Sequence, residues 1–400
     1  MLIEIISALL IGILAGTFTG LAPGIHINLI GASVVSLSAS SLFFSSINPV
    51  FLVVFIVAMS ITHTFIDFIP SVFLGCPDTD TELSVLPGHE LLKKGQGYEA
   101  VMLSAYGGII AIILLIILAI PLSLFFSNFY FKIKFAIPYI LIITSLLLIF
   151  IEQKKFSALL GFTLSGMLGI LVLNSGFNLK EPLLPLLTGL FGSSSLILSI
   201  NQKTQIPKQV IKNPKNKNFF KPILGAVIAS PLCGFFPGLG SGQAAILGNL
   251  VTKTDNKGFI TLLGATNTLI MGFSFLSLYA IERTRTGSAV AIQELIGFLD
   301  TKTLILILGI SLISGIIAFL LTSLISKKFI PIVEKINYAK LSVITLIFLS
   351  FVVLLFSNFL GFIVFIVSTF TGIYCISLGV RRTNMMGCLL LPTIVFYLTI

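Results

Sequence analysis

The sequence predicts an all-α polytopic membrane protein made of two inverted structural repeats, each opening with helices broken at a Pro-Gly pair. Three observations predict it. First, 56% of the 400 residues are hydrophobic and only 10% are charged, and stretches such as 109–124 and 345–356 run apolar. A hydrocarbon core about 30 Å thick takes about 20 apolar residues per helix and tolerates no unsatisfied backbone, so helices are the default. The alternating apolar and polar segments of a β-barrel are not visible. Second, Gly20-Leu-Ala-Pro23-Gly24 recurs as Gly234-Phe-Phe-Pro237-Gly238. Third, lysine and arginine fall unevenly on the two sides of the topology these helices imply.

The first repeat, 1–200, carries apolar runs that predict helices over about 2–21, 25–43, 50–74, 99–126, 135–151, 156–174 and 183–200. Lys93 and Lys94, Lys132 and Lys134, Lys154 and Lys155, and Lys180 fall between them. The first run starts with Glu4 and no preceding basic residue, so it reads as a first helix and not as a cleavable signal peptide. A polar, lysine-rich linker follows over 201–221, and the second repeat occupies 222–400. Its helices are predicted over about 219–235, 239–252, 258–281, 303–325, 339–357, 359–378 and 385–400.

Further matches keep the same order: Thr62-His63-Thr64 with Thr266-Asn267-Thr268, Glu90-Leu-Leu with Glu294-Leu-Ile, Gly161-Phe with Gly361-Phe, and Pro185 with Pro392. Each is weak alone; in order and at nearly constant spacing they predict a duplicated unit. Seven helical elements per unit invert the second copy, whether the first two elements are re-entrant or full spans. With the linker placed in the cytoplasm, eighteen of the 24 Lys and Arg lie inside and six outside, the bias that orients membrane proteins. Both termini are then outside, in a multi-pass protein of the cell (plasma) membrane.

The formal net charge of +10 follows from these loop lysines and does not describe a nucleic-acid-binding face. Cys76, Cys233, Cys375 and Cys388 have no metal-ligand spacing and read as packing residues. No HExxH, GxSxG or paired-aspartate signature supports an enzyme, and no polar stripe supports a channel. A scaffold has no need of inverted symmetry.

Inverted repeats with discontinuous helices are the architecture of secondary transporters, whose sites lie near the midplane between repeats. Proline lacks an amide hydrogen and glycine permits unusual backbone angles, so Pro23-Gly24 ends one helix and starts another. The new helix exposes N-terminal amides at the positive end of its dipole, a binding end for anions. The candidate substrate residues are Pro23, Gly24, His26 and Asn28 at the first tip. At the second they are Pro237, Gly238, Gly240, Ser241, Gly242 and Gln243. Ionisable groups at membrane depth are functional candidates. His63 and Asp67, on one helical face with Thr64, and Asn267 in the second repeat are therefore assigned to ion coupling, with sodium or a proton and without a bound cofactor or metal. The alternative for His63 and Asp67 is a structural hydrogen-bonded pair. The loop 282–302, with Arg283 and Arg285 before an amphipathic stretch, is expected to attract anionic cargo or dock a partner on the outer face.

"GLAPGI" and "GFFPGLGSGQAAI" resemble the paired tips of the large membrane subunit of tripartite tricarboxylate transporters. "PGHELLKKGQGYEAVMLSAYGG" is similar to that family's loop and following alanine-rich helix, and the resemblance, to a divergent archaeal-type branch, covers most of the chain. It implies a permease importing carboxylates on an ion gradient, with an extracytoplasmic binding protein and a small membrane subunit as partners. His26 and Asn28 depart from the small residues that the family places after the first tip. The tips are also similar to those of polyprenyl-phosphate translocases, since an amide cradle suits a phosphate as well as a carboxylate.

Overall fold

The computed structural model describes residues 2–22, 27–40, 47–75, 81–174, 179, 182–201, 207–214, 218–236, 240–335 and 338–399. Among these the protein is helical with no strand. The helices are α1 (Leu2–Leu21), α2 (Ile27–Ser40), α3 (Pro49–Ile66), α4 (Phe68–Leu74), α5 (Val85–Lys93), α6 (Gly97–Ile151), α7 (Lys155–Asn174), α8 (Leu183–Leu187) and α9 (Ser194–Asn201). They continue as α10 (Phe220–Phe235), α11 (Ser241–Thr252), α12 (Asn256–Ile281), α13 (Gly287–Ile296), α14 (Thr301–Lys335), α15 (Tyr338–Ser377) and α16 (Gly387–Thr399). Among the described residues, seven stretches are long and apolar enough to cross a membrane. The protein is a multi-pass membrane protein.

Most predicted boundaries fall within a few residues of the observed ones, and four differences have physical causes. The predicted loop between 126 and 135 is helix: α6 runs for 55 residues, passing through Pro121 and Pro138. Its stretch 122–137 contains neither glycine nor proline, so Lys132 and Lys134 colour the helix surface without ending the backbone ladder. α14 likewise runs past the predicted end at 325 to Lys335. The predicted boundary between 357 and 359 is a kink inside α15, where Asn358 has φ 62°. Two stretches read as loops, 85–93 and 287–296, are helices. α5 takes Pro87 in its first turn, where no intrahelical donor is lost, and α13 is capped by Thr286, whose side chain accepts from the Ala289 amide.

The described residues form two compact units, each drawing on both halves of the sequence. The first comprises Met1–Ile69, Tyr98–Tyr130 and Lys212–Lys328. At its centre α3 and α12 are buried almost throughout; α1 packs on α3, and α10 and α11 pack on α12.

The second comprises Pro70–Gly97, Phe131–Ile211 and Phe329–Ile400. Here α15 packs against α8, α9 and the π-helical turn Thr188–Ser193, around a core of Leu184, Leu196, Leu349, Val352, Val353 and Phe365. The linker, expected as a polar connector, is tied into this unit through Gln209 and Val210. Buried Gln209 donates from Nε2 to Leu92 O (3.0 Å) and accepts from Gly97 N (2.9 Å), while Val210 N bonds Gly95 O (2.8 Å). The Lys93-Lys94-Gly95-Gln96 turn is thus a seat for the linker.

Candidate functional site

The site of the first unit begins with a close helix crossing. A Cβ built on Gly12 would fall 2.6 Å from Phe55 O, on Gly16 2.8 Å from Thr62 Cβ, and on Gly20 2.7 Å from Ile66 Cβ. Small residues at helical spacing allow this approach in a membrane, where packing holds helices together. Gly20, the first residue of the repeated tip motif, therefore lies on the stretch that carries Asp67.

The crossing places Thr19 beside His63, with Oγ1 and Nδ1 3.0 Å apart. Four residues along α3, at its C-terminal end, Asp67 accepts from Asn267 Nδ2 through Oδ2 at 2.9 Å. His63, Asp67 and Asn267 are 5%, 2% and 4% exposed. Thr64 Oγ1 lies 2.9 Å from Ile61 O and 3.2 Å from Thr268 Oγ1, so the two threonine hydroxyls share a hydrogen bond between α3 and α12. Lower on the same helix Ser60 and Ser288 hydroxyls meet at 2.7 Å. Pro70 has no N–H to give the carbonyl of Ile66, and the helix is interrupted at Asp67, the C-cap of α3.

Of the four residues assigned together from sequence, Asp67 and Asn267 touch, whereas His63 meets Thr19 and Thr64 meets Thr268, all within the first unit. The tips are partly described. Pro23, Gly24 and His26, and Pro237 and Gly238, lie outside the described residues. Asn28 belongs to the first turn of α2, and its side chain is outside the description. At the second tip Gly240 is the N-cap of α11, and Gln243 Oε1 accepts its N–H at 2.8 Å, the reach-back half of a capping box. Ser241, Gly242 and Gln243 are buried in the first turn of α11.

Two residues of this region make contacts that sequence reading missed. Thr19 was not singled out, and Arg285, expected with Arg283 to attract anionic cargo or dock a partner on the outer face, is half-buried with Nε on Cys233 O at 2.8 Å, a contact the sequence reading did not foresee. Both belong to one sequence relation: Thr19 and Cys233 each stand four residues before a tip proline, and their carbonyls therefore lack the helical donor that any other residue supplies. That spacing was the available signal.

Comparison with known proteins follows the same lines. The sequence matches the tripartite tricarboxylate transporter TctA family over residues 6–387. It is 35% identical over 401 aligned positions to an uncharacterized protein of Methanocaldococcus jannaschii, covering 98% of this chain and 98% of that one. No solved structure matches. Paired Pro-Gly tips, apolar helices and a match over nearly the whole length agree: the chain belongs to the tripartite tricarboxylate transporter TctA family.

Proposed function

We propose that this chain is the large membrane subunit of an ion-coupled permease that carries a small organic anion, a carboxylate, across the cell membrane, and that it is not an enzyme. The observation that carries the reading is the buried Asp67 and Asn267 contact between α3 and α12, two helices that pack at the heart of one compact unit. A carboxyl group at such depth is costly unless it serves transport or a coupling ion. The Thr64 and Thr268 contact joins positions that the duplicated motif equates, which supports a site on the pseudo-symmetry of two inverted repeats. In this reading the two Pro-Gly tips cradle the anion, and His63, Asp67, Thr64 and Asn267 hold the coupling ion. The tripartite character of the family supports an extracytoplasmic binding protein and a small membrane subunit as partners.

Thermal unfolding of the purified protein against citrate, succinate, inorganic phosphate and a short-chain polyprenyl phosphate tests this. A ligand at a hundredfold its dissociation constant stabilises by about 2.7 kcal/mol. Stabilisation by a carboxylate, dependent on sodium or pH and lost in D67N, is expected. Stabilisation by the polyprenyl phosphate alone would replace the permease with a lipid-carrier translocase.

A further inference from the structure

In the second unit the linker turns a polar residue inward and two apolar residues outward. Gln209 is 8% exposed, whereas Val210 and Ile211, next to it, are 46% and 52% exposed. In a connector surrounded by water the opposite arrangement is favoured, because exposed apolar surface is costly and an amide is well solvated. Here the orientation is enforced by bonds. Gln209 uses both Nε2 hydrogens, on Leu92 O at 3.0 Å and Pro207 O at 2.7 Å, and accepts from Gly97 N at 2.9 Å. One side chain thus ties the end of α5 to the start of α6. The main chain is held as well: Gln209 N–H donates to Glu334 Oε1, and Val210 N–H donates to Gly95 O. Gly95 has φ 75°, and a Cβ there would fall 2.8 Å from Lys208 O, so only glycine lets the linker lie this close.

Glu334 fixes the depth of this seat. Along α14 the exposed residues are Leu320 and Leu324, then Lys327 and Lys328, then Ile332, Glu334 and Lys335. The exposed face of the helix passes from apolar to mixed charged and apolar where it meets the linker, the change that marks a membrane–water interface. Lys93, Lys94 and Lys208 are exposed on the seat itself, and Lys335 stands beside Glu334, so cations outnumber the one carboxylate. We propose that Lys208-Gln209-Val210-Ile211, held on the Lys93-Lys94-Gly95 turn, is an interfacial anchor that sets Val210 and Ile211 among anionic lipid headgroups while the lysines take the phosphates. The occupant follows from charge and level: a cationic rim around two short apolar side chains, at the height where the lipid-facing stripe of α14 ends, complements an anionic bilayer surface. Two aliphatic side chains hold weakly alone, and each lysine near such a surface multiplies partitioning about fivefold.

The chain contains no tryptophan, so I211W in the full-length protein, reconstituted into liposomes, supplies a single indole at the anchor, and V210W repeats the reading from the neighbouring side chain. The vesicles are phosphatidylcholine alone or phosphatidylcholine with phosphatidylglycerol, brominated on the acyl chain near the headgroup. Expected is emission shifted to the blue and quenched by bromine, more strongly with phosphatidylglycerol. The inserted-to-free ratio in those vesicles should fall about fivefold for each lysine removed in K93Q/K94Q/K208Q, and the preference should fade at high salt. An indole that emits as in water and escapes bromine in both lipids would overturn the anchor. Quenching equal in the two lipids and unchanged in the lysine variant would overturn the anionic headgroup. A blue shift without bromine quenching that rises with the protein-to-lipid ratio would give the surface to a second copy of the chain. One that needs an added small membrane subunit would give it to that protein, and either result overturns the lipid. None of these outcomes depends on a transported anion, so the anchor and the permease reading fail separately.

Discussion

Arg285 donates from Nε to the carbonyl of Cys233 at 2.8 Å, and Pro237 explains why that carbonyl is open to it. In an unbroken helix residue 237 would supply the donor; proline has none. A cation at the C-terminal end of α10 also meets the negative end of the helix dipole. Arg283, exposed in the same loop, lies over the Tyr130 ring at 5.5 Å, and Tyr130 stacks on Phe236 at 4.9 Å. The loop is therefore fastened to the residues that lead into the second tip.

This relation separates two arginines that look alike in sequence. Replacing Arg285 with alanine leaves a buried carbonyl without its donor, a loss of about 1–3 kcal/mol. Thermal unfolding of R285A should show that loss equally at low and high salt, because a short contact to a half-buried group is little screened. R283A should change stability by less, and its effect should shrink as salt rises. A salt-dependent loss in R285A would return Arg285 to the role of a solvated steering charge.

The pair of Asp67 and Asn267 predicts an asymmetry between variants. N267A removes the donor to Asp67 Oδ2 and should cost about 1–3 kcal/mol. N267D sets a second carboxyl against the first, and two carboxyls at this distance do not both ionise. Its unfolding temperature should therefore fall as pH rises through the range where the second proton leaves. The double variant D67N/N267D reverses the pair and should recover much of the lost stability. No recovery would mean that the contact does not link the two helices energetically.

How much of this was legible in the sequence can be stated residue by residue. Apolar length located the helices because burying a backbone in lipid leaves few alternatives. His63, Asp67 and Asn267 stood out because polar residues inside such helices are rare. The continuity of α6 through Lys132 and Lys134 was not legible, since charge was taken as a loop signal and a lysine does not by itself end the backbone ladder. Thr19 and Arg285 were illegible for another reason: an ordinary threonine and a loop arginine gain their roles from which chain segment crosses nearby. The seat of Gln209 on the Gly95 turn is of the same kind.

His89, in the second unit, makes a prediction about pH. Burial first, then the charges of Arg382 and Lys93, push its imidazole down from 6.5 to about 3. Its ring is covered by Gly75, where a Cβ would fall 2.7 Å from Cε1, and Arg382 is engaged with the Ser195 hydroxyl. Below pH 6.5 the unfolded chain binds a proton that native His89 does not. Its stability contribution is whole above that pH and is lost as pH falls toward 3, by about 1.4 kcal/mol at pH 5.5. Unfolding temperatures of wild type and H89Q should therefore diverge in slope between pH 7.5 and pH 5.5, with wild type falling more steeply. Parallel slopes would mean that His89 takes up a proton over the same pH range in the native and unfolded states.

Gly16 offers the most direct test that the α1 and α3 crossing organises the site. A Cβ there would strike the carbonyl of Met59 and lie 2.8 Å from Thr62 Cβ. Backbone on one side and a β-branched residue on the other cannot yield, so G16A must push α1 away from α3. Overpacking of this kind costs about 1–3 kcal/mol. Displacement should also lengthen the Thr19 and His63 contact, since Thr19 is one turn farther along the same helix face and its hydroxyl is bonded to the Gly16 carbonyl. G16A should therefore combine a lower unfolding temperature with a weakened Thr19 and His63 contact, so that adding T19V costs less in G16A than in the wild type. By contrast, alanine at Gly309, where a Cβ would meet nothing within 4 Å, should be neutral or slightly stabilising because alanine is the better helix former. Equal losses at the two positions would mean that the crossing is loose, and that Thr19 reaches His63 by some other support.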